Sequence, residues 1–219
     1  MKNLSFAAVL LLALVACNGN SKQSSAQASP EASGQGMAQA TSQSSASGTY
    51  RVLFETSKGP VTIEVNRALA PNGAQHFYEL VQAKYFDGAR FYRVVPGFVV
   101  QWGANGNPAV TKKWDVTIPD DPVKASNTRG TVAFAATGSP NSRTTHMFIN
   151  FGNNARLDAM GFAPIGSVTS GMGNVDRIYS GYGERPDQDL IAHRGNEYLM
   201  RVFPKLDYIK TARIEGGSQ

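Results

Sequence analysis

The chain has 219 residues, of which 42% are hydrophobic and 10% are aromatic, so it is long enough for one globular domain with additional segments. Its formal net charge is +5, but the lysines and arginines are spread singly, without a basic cluster or an aromatic RNA-binding motif. We therefore expect no nucleic-acid partner. The histidines lack metal-ligand spacing and the single cysteine cannot form an internal disulfide, so neither a metal site nor a disulfide framework is expected.

Residues 1–16 have the pattern of an export signal. Lys2 precedes the apolar stretch 6–15, which is too short to span a bilayer. The tetrad LVAC ending at Cys17 is similar to the lipobox of bacterial lipoproteins, whose cysteine becomes the lipidated first residue after cleavage. The resemblance implies a lipoprotein signal peptide and a lipid anchor at Cys17, facing the periplasm from the bacterial envelope; Asn18 favours the outer membrane. A plain secretory peptide that happens to contain a cysteine is the alternative.

Residues 17–48 are predicted to form a disordered tether that begins at the anchor cysteine. The segment is rich in Ser, Ala, Gln and Gly, and Met37 is its only large apolar side chain. Such a composition buries too little surface to offset the entropy lost on ordering. A tether of this length spans on the order of 30 Å. It would separate a folded domain over residues 49–215 from the membrane surface.

The predicted domain begins with a hairpin and a helix. The β-rich runs 51–56 and 61–65 are separated by turn residues 57–60. Pro71 suits the first turn of a helix because its missing N–H would be unpaired there. The apolar residues that follow share one helical face, and Asp87-Gly88 ends the run; they are Ala74, Phe77, Leu80, Val81 and Tyr85. The pattern predicts an amphipathic helix that covers a core.

A second hairpin is predicted over residues 91–103, which read FYRVVPGFVVQWG. The apolar runs 91–95 and 98–102 flank Pro96-Gly97, a pair whose backbone preferences favour a turn. Arg93 is unusual here, because a guanidinium that keeps its charge is costly to desolvate among apolar neighbours without a partner. In most sheets an arginine points to solvent. A register slip of one residue would also send the side chains to the opposite face.

The rest of the domain alternates short strands with loops. A Gly/Asn/Pro-rich loop at 103–108 precedes strands at 131–135 and 146–151, which are joined by the polar loop 136–145. Loops of this kind on a rigid sheet often bind ligands. A strand through Val168, a short helix at 175–179, a helical stretch at 196–203 and a closing strand at 208–214 complete the chain. Many short strands with two widely spaced helices predict a mainly β fold: a closed antiparallel barrel capped by two helices, with an extra C-terminal helical segment.

Three motifs in sequence resemble the cyclophilin family: FYRVVPGFVVQWG, TVAFAATGSPNSRTTHMFIN and LDAMGFAPIGSV. The resemblance covers roughly residues 52–180. It implies the closed cyclophilin barrel and peptidyl-prolyl cis-trans isomerase activity on proline-containing polypeptides, without a cofactor. With the export signal, it implies an enzyme that assists the folding of exported proteins. We expect it to act as a monomer.

The resemblance also implies a set of site residues. Arg93 takes the position of the catalytic arginine, and the substrate-binding positions correspond to Phe98, Val99, Gln101, Ala135, His146, Phe148, Leu157 and Phe162. Without the motifs, the phenylalanines would be assigned to an ordinary core, and Gln101 and His146 to the surface.

Some positions depart from the family pattern. His146 stands where a glutamine commonly contacts the substrate backbone, and Trp102 replaces a glycine. Ala136 stands where asparagine or arginine is often found. Arg156 stands where many eukaryotic members carry tryptophan, which weighs against strong cyclosporin binding.

The predicted chemistry needs neither a nucleophile nor an ionising acid. As an Xaa-Pro amide twists, the prolyl nitrogen regains a lone pair, and a fixed donor such as Arg93 would stabilise that twisted state. Two alternatives remain open at this point. One is a proline-peptide binding module or chaperone with little turnover, and the other is a structural envelope lipoprotein.

Overall fold

The computed structural model describes residues 48–215. The predicted signal peptide, Cys17 and the tether up to residue 47 lie outside the described residues. These residues form eight strands, which are β1 Thr49–Thr56, β2 Gly59–Asn66, β3 Arg93–Val95, β4 Val99–Trp102, β5 Thr131–Phe134, β6 Met147–Asn150, β7 Pro164–Ser170 and β8 Ile209–Glu215.

Four α-helices and one 3₁₀ turn connect these strands. The helices are α1 Pro71–Gln82, α2 Pro108–Trp114, α3 Met172–Asp176 and α4 Gln188–Val202, and the 3₁₀ turn is Ala155–Leu157. Among the residues described, none of these helices has the length and apolar character needed to cross a membrane.

The strands form one antiparallel sheet in the order β3-β4-β6-β5-β7-β2-β1-β8. The sheet curls into a half-barrel, and in the described residues β3 and β8 remain its two edges. Isolated backbone hydrogen bonds join the segment before β3 to the start of β8 and the residues before it, such as Ile209 N to Ala89 O at 2.9 Å. The prediction of a closed barrel capped by two helices, with an extra C-terminal helical segment, is therefore correct in its β architecture, but the ladder does not close, and residues 48–215 contain one further helix, α2, that was not predicted.

The main core lies on the inner face of the curled sheet. Alternate residues of β1 and β2 point into it, as the period of two in a strand requires, including Val52, Phe54 and Ile63, all of which are almost fully buried. The buried face of α1 packs against this core through Phe77 and Leu80. Burial of this apolar surface supplies the main favourable free energy of folding.

The helices differ from the sequence prediction in three places. Helix α2 was not predicted, although Asn107 caps it by accepting a hydrogen bond from Ala109 N at 3.0 Å and Pro108 occupies its first turn. Its seven residues are too few to show a clear apolar period. Helix α3 begins three residues earlier than predicted. Helix α4 begins at Gln188 rather than Asn196, because it is kinked at Gly195 and the sequence pattern revealed only its second half.

Helix α4 packs on a second apolar cluster that is separate from the main core. Ile191, Tyr198 and Leu199 of the helix meet Tyr92, which precedes β3, and Phe203 and Leu206, which follow the helix. The C-terminal segment is thus attached to the edge of the sheet that carries Arg93.

Candidate active site

The register of four neighbouring strands brings the predicted site residues onto one face of the sheet. Arg93 on β3 pairs with Gln101 on β4, Gln101 pairs with Phe148 on β6, and Phe148 pairs with Ala133 on β5. These four residues form a row across the sheet, since directly paired residues point to the same side. The alternate residues Val100, Trp102 and Ile149 point into the main core instead.

This row borders a cavity of about 460 Å³. The cavity is lined by all nine residues that the family resemblance implied, namely Arg93, Phe98, Val99, Gln101, Ala135, His146, Phe148, Leu157 and Phe162. Its size and its apolar walls with a few polar groups are typical of a small-ligand site. A proline ring with the adjoining peptide groups is a ligand of suitable dimensions.

The guanidinium of Arg93 lies at one rim of the cavity and is held from two sides. Its Nε donates to Glu184 Oε1 at 2.7 Å, and its Nη2 contacts the same oxygen at 2.5 Å. Its Nη1 donates to Gln101 Oε1 at 3.3 Å. The guanidinium carbon stands 5.5 Å from the centre of the Phe98 ring. Two of the five guanidinium N–H groups have no partner among the described residues.

The apolar part of the cavity forms a cluster of its own. Val99, Ala133, Phe148 and Leu157 are buried in it, with Phe98, Ala135 and Phe162 packed alongside. The rings of Phe148 and Phe162 meet edge to face, with 5.8 Å between their centres. Arg156 places its guanidinium 4.6 Å from the centre of the Phe98 ring. The second arginine therefore braces the Phe98 ring by a cation–π contact.

A chain of hydrogen bonds runs behind the cavity wall. Gln101 Nε2 donates to the hydroxyl of Tyr92 at 2.9 Å, and the same hydroxyl bonds His146 Nδ1 at 2.6 Å. Burial raises the pKa of Tyr92, so its phenol stays protonated. Burial also lowers the pKa of His146, with Asp115 opposing that shift, which favours a neutral imidazole. Together with Arg93, these groups form one continuous series of hydrogen bonds along the cavity.

Buried asparagines support the loops that carry the apolar wall. Asn154 Nδ2 donates to Phe98 O at 2.9 Å and to Asn150 Oδ1 at 2.7 Å. Asn127 Nδ2 donates to Asp158 Oδ1 and to Phe162 O, both at 2.8 Å. Hydrogen bonds from Ser126 and Asn127 hold the pKa of Asp158 below its usual range, so the carboxylate remains a charged acceptor. These hydrogen bonds hold the backbone carbonyls of Phe98 and Phe162, and so they fix the positions of the two residues relative to the sheet.

The cavity includes residues that sequence reasoning did not name. Thr137, Ser142 and Thr144 line it from the loop 136–145, which the sequence had marked as a ligand-binding loop without singling out individual residues. Glu184 and Gln188 line it from the segment beyond Ser180, where the family resemblance ended. Nothing local in the sequence around Glu184 indicates that it would meet Arg93, 91 positions earlier.

Trp102 does not take part in the cavity. Its side chain is fully buried in the main core, where it meets Phe54 edge to face at 5.7 Å between ring centres and Phe91 at 6.0 Å. The tryptophan at this position therefore fills the core and does not line the cavity.

Comparison with known proteins agrees with this geometry. Residues 51–195 match the profile of the family described as cyclophilin type peptidyl-prolyl cis-trans isomerase/CLD. The chain is similar to a peptidyl-prolyl cis-trans isomerase of Acinetobacter baylyi, with 35% identity over 132 residues that cover 58% of this chain and 70% of that protein. It is also similar to peptidyl-prolyl cis-trans isomerase A of Dickeya dadantii, with 32% identity over 138 residues, which cover 61% and 73% of the two chains.

The fold resembles a solved cyclophilin structure as well. A crystal structure of a Cryptosporidium parvum cyclophilin type peptidyl-prolyl cis-trans isomerase, determined in the presence of the dipeptide Ala-Pro, aligns with a TM-score of 0.55. The alignment covers 76% of this chain and 99% of that chain, at 19% sequence identity. At this identity the likeness concerns the fold alone.

Proposed function

This chain belongs to the cyclophilin-type peptidyl-prolyl cis-trans isomerase family, and from that membership we propose that it accelerates rotation about Xaa-Pro bonds in exported proteins, with Arg93 as the catalytic residue. The observation that carries the role of Arg93 is the position of its guanidinium at the rim of an apolar cavity, 5.5 Å from the centre of the Phe98 ring.

The reaction is a rotation in which no covalent bond breaks. The barrier to rotation about a peptide bond is about 20 kcal/mol, because the twisted amide loses resonance between nitrogen and carbonyl. In the twisted state the prolyl nitrogen becomes pyramidal and can accept a hydrogen bond that neither planar state accepts. A donor fixed beside that nitrogen lowers the barrier, and each 1.4 kcal/mol of such differential stabilisation gives about tenfold in rate.

Arg93 has the properties that this step requires. Its charge is permanent, two of its N–H groups lack partners among the described residues, and its orientation is held by Gln101 and Glu184. Charge-assisted hydrogen bonds are roughly twice as strong as neutral ones, and more so where water is excluded. The cluster around Phe148 would exclude water from the proline ring, since its members Val99, Phe148 and Leu157 are almost fully buried.

The test is isomerisation of a short Xaa-Pro peptide by Arg93→Ala. We expect the rate to fall by well over tenfold, because the donor to the prolyl nitrogen is lost. Arg93→Lys retains a charge without the planar fork and should recover only part of the rate. Arg51→Ala is the matched control, since Arg51 is 61% exposed and pairs with Glu64 away from the cavity. Equal rates for wild type and Arg93→Ala, with the fold intact, would favour a proline-peptide binding module instead.

We further propose that the enzyme is lipid-anchored at Cys17 and faces the periplasm, most consistently from the outer membrane. The lipobox-like tetrad ending at Cys17 and the Ser/Ala/Gln/Gly-rich stretch after it support this location. Metabolic labelling with a radioactive fatty acid should tag the wild-type protein and leave Cys17→Ser untagged. Labelling of both proteins would contradict the anchor at this residue.

A further inference from the structure

His146 lines the cavity and, by the family resemblance, stands where a glutamine commonly contacts the substrate backbone. A glutamine amide offers both a donor and an acceptor, whereas a neutral imidazole offers one donor and one acceptor on different nitrogens. Which nitrogen of His146 carries the hydrogen therefore determines what the cavity presents to a substrate. The hydrogen-bond partners behind the cavity wall determine which of the two nitrogens is protonated.

Arg93 fixes which group donates and which accepts in each hydrogen bond of this series. A guanidinium only donates, so Gln101 must turn its carbonyl oxygen toward Arg93 Nη1, which lies 3.3 Å away. The amide nitrogen of Gln101 then faces Tyr92 and donates to its hydroxyl at 2.9 Å. Gln101 is buried, and both ends of its amide are used in this way.

The hydroxyl of Tyr92 accepts from Gln101 and donates to His146. The hydroxyl accepts from Gln101, and its one hydrogen must find an acceptor, since Tyr92 is only 1% exposed. His146 Nδ1, at 2.6 Å, is its other hydrogen-bond partner among the described residues. If Nδ1 carried a hydrogen, it would point at the hydroxyl, and the hydroxyl hydrogen would lose its acceptor. Nδ1 is therefore the acceptor, and the imidazole hydrogen is on Nε2.

The opposite nitrogen is the one available to a ligand. Within residues 48–215, Nε2 of His146 makes no hydrogen bond, and the His146 side chain lines the cavity. We propose that Tyr92 is a positioning residue that holds His146 in its Nε2–H tautomer, so that the cavity presents a dedicated donor to a backbone carbonyl of the proline-containing substrate. The inference rests on the proposed function, because it concerns the substrate of that same cavity.

The tautomer of His146 determines which substrate group can bind at this position. A glutamine at this position could turn its amide to meet either a substrate N–H or a substrate carbonyl. His146, held by Tyr92, can donate only, so a carbonyl oxygen must face it. Tyr92 itself touches no substrate, since it lies behind the wall in the cluster formed with Tyr198 and Phe203.

The first measurement needs no substitution in Tyr92. Long-range proton–nitrogen NMR spectra of the full-length ¹⁵N-labelled chain distinguish the two imidazole tautomers, and His146→Gln identifies the His146 signals by their loss. We expect a single Nε2–H tautomer at pH 7.5. A predominant Nδ1–H tautomer, or an even mixture, would overturn the proposal whatever the behaviour of the variants.

The second measurement uses Tyr92→Phe and an Ala-Pro-containing tetrapeptide. We expect the His146 tautomers to become mixed, and the Kd of the peptide, from NMR titration, to rise about fivefold, because only the fraction of imidazole rings that have both the Nε2–H tautomer and the correct orientation can donate to the substrate carbonyl. In a His146→Gln background the same Tyr92→Phe change should raise the Kd at most about twofold, since an amide has no tautomers. Tyr50→Phe is the matched control, because it loses a hydroxyl bond to Ala74 O away from the cavity. It should change neither quantity.

The possible outcomes separate this inference from the proposed function. An unchanged tautomer or an unchanged Kd in Tyr92→Phe would overturn the role of Tyr92. A wild-type protein that binds the peptide with the expected tautomer but does not accelerate isomerisation would contradict the proposed function alone, since neither measurement depends on turnover.

Discussion

At the scale of single residues, Glu184 is the least expected neighbour of Arg93. The two side chains form an ion pair in which Arg93 is 24% exposed and Glu184 is 61% exposed. Exposed pairs of this kind contribute about 1 kcal/mol or less to stability. The carboxylate does, however, accept from two nitrogens of the guanidinium and so restricts its rotation. Its contribution should therefore concern the orientation of Arg93 more than the stability of the fold.

We predict that Glu184→Ala lowers kcat/KM for a short Xaa-Pro peptide by about three- to tenfold, because a freely rotating guanidinium spends less time directed at the prolyl nitrogen. The melting temperature should stay near that of the wild type. Glu184→Gln retains an acceptor oxygen and should recover most of the activity. A wild-type rate in Glu184→Ala would contradict an orienting role.

At the scale of secondary-structure elements, the kink in α4 joins the C-terminal segment to the rest of the domain. Gly195 has φ 51° and ψ −134°, a conformation that favours glycine. The kink lets Asn196 N donate to Gly106 O at 2.9 Å and lets Asn196 Nδ2 donate to Gly88 O at 3.0 Å. A side chain at position 195 would collide with the backbone carbonyl of Gly106. The kink therefore holds α4, which follows Glu184 and begins at Gln188, against two loops of the domain.

We predict that Gly195→Ala lowers the free energy of unfolding by about 2 kcal/mol or more, from the unfavourable backbone angles together with the collision. Urea denaturation monitored by circular dichroism measures this change. Gly173→Ala in α3 is the matched control, because a Cβ there would meet nothing closer than Arg177 Nη1 at 4.0 Å. Helix propensity favours alanine at that position, so the control should be as stable as the wild type or more stable by up to about 1 kcal/mol. Equal stability of the two variants would contradict strain at Gly195.

At the scale of the whole molecule, two histidines make the free energy of unfolding depend on pH. Burial lowers the pKa of His76, which is 7% exposed and lies 5.8 Å from Phe134 between ring centres, and burial also lowers the pKa of His146. Glu79 and Asp115, respectively, oppose these shifts. In the unfolded chain both histidines titrate near 6.5. Below that pH the unfolded state therefore binds more protons than the folded state does.

We predict that the free energy of unfolding is insensitive to these groups above pH 7 and falls as the pH decreases from about 6.5 to 5, above the range in which most carboxylates titrate. Urea denaturation at a series of pH values measures the slope. A His76→Gln, His146→Gln double variant should show a flatter profile over the same interval. An equally steep profile in the double variant would assign the acid sensitivity to other groups.

Much of the site was predictable because the motifs that carry it are short and continuous in the sequence. The period of two along a strand puts Val99 and Gln101 on the same face, but the family resemblance was needed to assign that face, together with Arg93 and Phe148, to the substrate, since a register slip of one residue would reverse it. The cyclophilin-like motifs then supplied a role for each position. The structure places all nine predicted residues around one cavity.

Local sequence patterns determined the hairpins and the apolar face of α1, since backbone preferences and side-chain periods act over a few residues, and the family motifs indicated the residues that line the cavity from the sheet. The tertiary structure decided the open edges of the sheet, the burial of Trp102 in the core, the contact of Glu184 with Arg93 and the direction of the Tyr92–His146 hydrogen bond. Each of these depends on groups far apart in the chain, and their energies exist only after folding has brought those groups together and removed water from between them.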